Sequence, residues 1–199
     1  MIRDILFRAL LPFWILLGAA LLTFFAVYQV DPFWAASAAM IAAFFVVGLM
    51  AFYAMWYGVP PMPTKHKDQA DILSLIPEDA THIYELGSGW GHLADALGKA
   101  HPNKAITGYE ISPVPYWVGY AQKLISNRKN VRYIRGNFFT ADLANADVIV
   151  CYLFPEILEK LLPKLQADLK PGTLILSNHF QIAGLTPEKT TGSIHVYRA

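Results

Sequence analysis

Two acids and three glycines carry the densest chemical signal in the sequence. Glu85 opens the stretch ELGSGWG, in which Gly87, Gly89 and Gly91 alternate with Ser88 and Trp90. Glycine is poor for the strand-like run before it and the helix-like run after it. Its density here marks a place where the backbone takes conformations, or close approaches, that side chains forbid. The spacing is not the dinucleotide fingerprint Gly-x-Gly-x-x-Gly, whose third glycine would fall at His92 instead of Gly91. A carboxylate two residues before the first glycine sits badly beside a pyrophosphate, but suits a ligand bearing an ammonium or another cation. Glu110 ends the next strand-like run, nineteen residues past Gly91. A carboxylate there can accept from both hydroxyls of a ribose; the plain alternative is an ordinary strand-end charge.

S-adenosylmethionine is a ligand of that kind, with an amino group, a sulfonium and no phosphate. Acid-x-Gly-x-Gly-x-Gly after a first strand is the pattern of class I methyltransferases, and ELGSGWG matches every fixed position, so the chain resembles that superfamily. The resemblance implies S-adenosyl-L-methionine as cofactor, bound by Glu85, Gly87, Ser88, Gly89, Gly91 and Glu110. It also implies a polar residue for the adenine amino group and an apolar one against the ring, roles open to Asn137 and Phe138 in RGNFF. A turn asparagine and a core phenylalanine are the alternative. Trp90 either packs on the cofactor or covers the sheet.

These residues need a frame. From about residue 64 the sequence alternates: strands at 81–86, 105–111, 131–134, 147–153, 173–178 and 193–198, helices at 92–100, 116–125 and 156–169. Gly98 is a weak spot in the first of these helices, and Pro163 is expected to kink the third. Nearly all-apolar strands alternating with helices predict an α/β, Rossmann-like, mostly parallel sheet with helices on both faces, and a ligand site at the carboxyl ends of its strands. The division expected is 1–58 and 59–199, joined by the stiff exit GVPPMPT.

The front of the chain is different. No charged residue falls between Ala9 and Val30 or between Pro32 and Thr64, and Asp31 alone separates the two stretches. A bilayer core takes roughly 20 apolar residues as helix, so 1–58 reads as a two-helix transmembrane anchor through a lipid bilayer. Arg3, Arg8, Lys65 and Lys67 flank it, which places both termini in the cytoplasm, at a bacterial inner membrane or its organellar equivalent. The net charge of +1 advertises no nucleic-acid partner. The lone Cys151 excludes an internal disulfide framework. His66, His82, His92, His101 and His195 show no metal-ligand spacing, and no metal is expected.

The combination VPPMPT, ELGSGWG, GYEIS and CYLFPEILEKLLPKL, from Val59 to the C-terminus, resembles a family of archaeal and mitochondrial protein lysine methyltransferases. Enzymes acting on adenine or glutamine-amide nitrogen generally carry Asn/Asp-Pro-Pro-Tyr/Phe where this chain has CYLFPE. The family commonly has Gly-Ser-Gly-Asp-Gly-Arg where this chain has GSGWGH. The resemblance implies methyl transfer to a neutral lysine amine, of a protein in or near the membrane. It lays Pro63 and Thr64 across the cofactor and lines the acceptor channel with Tyr152. His179, after the fifth strand, is a candidate base or a structural histidine. Two other readings remain open: methylation of a membrane-dissolved quinone or lipid headgroup, and a non-catalytic nucleoside-binding scaffold.

Overall fold

The computed structural model describes residues 32–57 and 64–199. The chain divides into two units, Met1–Leu49 and Met50–Ala199. Helix α1 (Pro32–Tyr57) contains no acidic or basic residue, and Phe33, Trp34, Phe44 and Val47 on it are exposed. From residue 64 onward the elements are α2 (His66–Leu75), β1 (His82–Leu86), α3 (His92–Ala100), β2 (Ala105–Glu110), α4 (Pro113–Ser126) and β3 (Val131–Arg135). After a 3-10 turn (Phe138–Thr140) come β4 (Val148–Cys151), α5 (Pro155–Asp168), β5 (Leu174–Asn178), β6 (Lys189–Thr191) and β7 (Ile194–Arg198).

The seven strands form one sheet in the order β3-β2-β1-β4-β5-β7-β6. The first five pair in parallel, with Ile83 opposite both Ile106 of β2 and Val148 of β4. β7 then runs antiparallel to β5, and β6 closes an antiparallel edge. Every residue of β4 and β5 is buried, which is why VIVC and LILSN carry no polar alternation until Ser177. The chain order reverses between β1 and β4, and a crevice opens outside their carboxyl ends at such a switch point.

Each sheet face carries a core. Ile72 of α2 with Leu93, Ala94 and Leu97 of α3 packs on Ile83, Ile106 and Val150. Leu158, Leu161 and Leu165 of α5 pack on Leu86, Ile149 and Ile175 across the opposite face. Gly98 is explained by this packing: a Cβ there would collide with Val131 Cγ2, so its absence lets α3 approach the sheet. α5 carries Pro163 inside its span, and α4 begins three residues before the expected 116, with prolines in its first turn, where proline's fixed φ suits a helix start. α2 and β6 were missing from the sequence reading.

The transmembrane hairpin is corrected. Among the described residues no helix is long and apolar enough to cross a membrane. The first apolar stretch, 9–30, lies outside the described residues. The two-span localisation with cytoplasmic termini, and the bilayer as partner, are therefore withdrawn.

Candidate active site

The loop from Gly87 to Gly91 bends over the end of β1 with positive φ at all three glycines: +80°, +52° and +85°. Each glycine answers a different local demand. A Cβ on Gly91 would strike the Tyr133 hydroxyl and come within 2.9 Å of the Gly119 Cα, so this glycine admits the buried Tyr133 ring and the α4 backbone. Tyr133 Oη donates to the Gly91 carbonyl at 2.8 Å. Gly87 faces Leu153 at 3.2 Å, whereas a Cβ on Gly89 would meet nothing within 4 Å. Only Gly89 leaves open space for an outside molecule.

The bend and the two acids meet. Glu110 Oε2 accepts from the Gly89 N–H at 2.8 Å and Oε1 from the Ser112 N–H at 2.7 Å. Burial raises the Glu110 pKa, and those backbone donors oppose the rise. Each oxygen keeps a lone pair for a further donor. Glu85 is 6 % exposed, and its Oε2 has no hydrogen-bond partner among the described residues. Burial first, then the Glu110 charge, hold its carboxyl well above the usual carboxylate range, and an N–H of Ala94 in the first turn of α3 works against them. Ser88 Oγ is also buried without a partner.

One cleft gathers these groups. Its lining includes Thr64, Glu85, Gly87, Ser88, Gly89 and Glu110, then Asn137 and Phe138 after β3, and Cys151, Tyr152 and Asn178 at the ends of β4 and β5. Trp90 and His92 line it too. Asn137 Oδ1 accepts from the Phe139 N–H at 3.0 Å, so it caps the 3-10 turn from the cleft wall, and Phe138 is buried beside it. The Thr64 carbonyl accepts from Gln69 Nε2 at 3.0 Å, which ties this residue to α2. Pro63 lies outside the described residues.

On the acceptor side, Tyr152 lines the cleft and His179 does not. His179 is exposed with φ +69°, and its ring stands edge-on to Tyr152 at 6.3 Å. Cys151 is buried, and burial pushes its thiol up to about 12, so it stays protonated and is no base at neutral pH. Among the described residues no cluster of three or more His, Cys, Asp or Glu could hold a metal ion. Sequence reasoning missed Asn178 and Ser112. The signal for Asn178 was present, as the one amide closing the apolar strand LILSN.

The family model described as the ANTKMT methyltransferase domain matches residues 85–189, more than half of the chain. The chain belongs to this family. It is 31% identical over 135 residues to a protein-lysine N-methyltransferase of Saccharolobus islandicus (strain REY15A), covering 66% of this chain and 83% of that protein. It is 27% identical over 138 residues to the adenine nucleotide translocase lysine N-methyltransferase of Mus musculus, covering 67% of this chain and 58% of the mouse protein. Among solved structures, an RNA methyltransferase of Salinibacter ruber in complex with S-adenosyl-L-homocysteine is 29% identical, with a TM-score of 0.62 over 69% of this chain and 92% of that one.

The chain is therefore an S-adenosylmethionine-dependent methyltransferase of the class I fold. The cleft fits that cofactor on its own chemistry. The unpartnered Glu85 Oε2 and Ser88 Oγ need hydrogen-bond donors or acceptors, and the space over Gly89 admits a ligand against the backbone. The scaffold reading gives way to an enzyme.

Proposed function

We propose that this methyltransferase modifies the ε-amino group of lysine in a protein. The observation that carries the reading is the archaeal relative, similar over 83% of its length and named a protein-lysine N-methyltransferase. The mouse relative, named for a lysine of the adenine nucleotide translocase, supports the same acceptor. In this reading Glu85, Gly87, Ser88, Gly89, Gly91 and Glu110 hold the cofactor, with Asn137, Phe138 and Thr64 closing around it, in a catalytic domain running 59–199. The cofactor supplies an electrophilic methyl group.

The chain's own task is to deliver a neutral, oriented amine. A free lysine has a pKa of about 10.4, so half-deprotonation at pH 7 requires a shift of about 3.4 units, near 4.6 kcal/mol. An apolar channel works in that direction. Tyr152 supplies an aromatic wall, and Leu153 and Ile157 line the same cleft. Removing water from this wall and holding the amine in line supply the catalysis, because placement alone is worth several kcal/mol. His179 has no part in this account, since it stands outside the cleft lining.

The test is transfer of tritium from labelled S-adenosylmethionine into protein, RNA and lipid fractions of the source cells. Label recovered as methyllysine after hydrolysis of the protein fraction is expected. Label confined to lipid extract would establish the small-molecule reading, and label confined to RNA a nucleic-acid acceptor; either overturns the lysine assignment.

A further inference from the structure

Asn178 closes β5 at the cleft, 1 % exposed, and tethers to two other elements through one hydroxyl. Ser193 Oγ, in the turn between β6 and β7, lies 2.8 Å from Asp68 Oδ1 of α2 and 3.1 Å from the Asn178 amide. We propose that Asn178 presents its side-chain carbonyl to the acceptor amine, and that Asp68, acting through Ser193, holds the amide in that orientation. This deepens the lysine reading and rests on it for the identity of the amine.

The number of hydrogens available fixes the amide's orientation. A serine hydroxyl has one, and Ser193 donates it to Asp68 Oδ1. The amide atom beside Ser193 must then donate, which makes it the nitrogen. With the oxygen placed there instead, Ser193 has to donate twice and the buried Asn178 nitrogen has no partner among the described residues. Oxygen and nitrogen of an amide are told apart only by such a network. Half a turn of the amide lets Ser193 accept from the nitrogen and leaves the carbonyl oxygen as the buried atom without a partner among the described residues.

That choice has a consequence for the reaction. A carbonyl takes one N–H of a neutral amine and leaves the nitrogen lone pair available. An NH2 in the same place would donate to the lone pair and block it. Asn178 lines the cleft beside Tyr152, so the group that fixes the amine's direction lies on the acceptor side. Asp68 and Ser193 are positioning residues in this scheme, and Asn178 is the one that touches the substrate.

The discriminating variant is Asp68→Asn, which keeps the shape of the network but can donate to Ser193. The Ser193 proton is then free to turn toward Asn178, and the amide rotates its NH2 into the cleft. With poly-L-lysine as acceptor and the full chain as enzyme, Asp68→Asn is expected to lower kcat at least 10-fold while calorimetric affinity for S-adenosylmethionine stays within twofold. Asn178→Ala is expected to show a comparable loss. In a Ser193→Ala background the further change Asp68→Asn should have no effect, because the relay is already cut. Full kcat in Asp68→Asn, with wild-type enzyme active, overturns the proposal.

A second measurement needs no acceptor. In asparagine-selective 15N spectra of the full chain, the Asn178 amide protons should show cross-relaxation to the Ser193 β-protons, lost in Asp68→Asn. Its absence from the wild type overturns the orientation. Its presence in an enzyme that labels neither poly-L-lysine nor cellular protein would sink the lysine reading and leave the amide orientation standing.

Discussion

Replacing Glu85 by Gln should stabilise the protein without ligand and weaken its hold on the cofactor. Glu85 is buried, one of its oxygens has no partner among the described residues, and the neighbouring Glu110 adds like charge. Burial and that charge raise the carboxyl's pKa in the fold, above the value of about 4.3 it has when unfolded. The folded state therefore holds a proton that the unfolded chain releases, and stability falls as pH rises from about 4 through the raised pKa. A neutral amide removes that loss. Leaving a buried polar atom unmade costs about 1–3 kcal/mol, more when charged. The expected gain in ligand-free melting temperature at pH 8 is on the order of 5 °C. It should vanish near pH 4, where Glu85 is protonated in both states.

With cofactor the sign reverses. A hydrogen bond to a charged group is worth about 1.5–3 kcal/mol, so losing the carboxylate should weaken S-adenosylmethionine binding about 10- to 150-fold. Melting curves from pH 4 to 8, with titration calorimetry at neutral pH, measure both halves. A Glu85→Gln protein that melts below wild type at pH 8, or binds cofactor within twofold of it, would mean that the Glu85 carboxylate is, respectively, no cost to the empty fold or no contact of the cofactor.

The three glycines should separate under substitution. Gly91→Ala meets the Tyr133 hydroxyl and the Gly119 backbone at positive φ, and should cost about 3 kcal/mol or more in chemical denaturation. Gly89→Ala meets open space, so it should cost only about 1–2 kcal/mol of conformational strain yet reduce cofactor affinity measured by calorimetry. Glu110→Ala should lose most cofactor affinity, because it removes the acceptor that fixes the Gly89 N–H along with any hydrogen bond to the ligand. Asp147, although burial acts against it, is held below the usual carboxylate range by Lys170 and by Thr81 and His82 donors. Its contribution is present above about pH 4 and lost as pH falls through the lowered value, so Asp147→Asn should lower the melting temperature at pH 7 and lose that difference in acid.

What the sequence disclosed about this chain follows the range of the forces involved. Six of the seven strands and α3, α4 and α5 were legible because apolar runs and turn residues are local signals, whereas the strand order was not. The pairing of Glu85 with Glu110 across the glycine bend was legible because both sit at strand ends. What the glycines are for was only partly legible. Gly91 answers to Tyr133, forty-two residues away, and Gly98 to Val131, so each needs knowledge of a partner that no local pattern contains. α2 was hidden by its polar sequence HKDQADILSL, in which Ile72 alone is fully buried. Asp68 on that helix reaches Ser193 at a separation of 125 residues. Long-range polar contacts of this kind leave no periodicity, yet they tie down a buried amide at the end of β5. The glycine bend and its two acids are written in one loop and two strand ends. The Asp68–Ser193–Asn178 contacts join three distant segments, and that is why the first could be read and the second had to be seen.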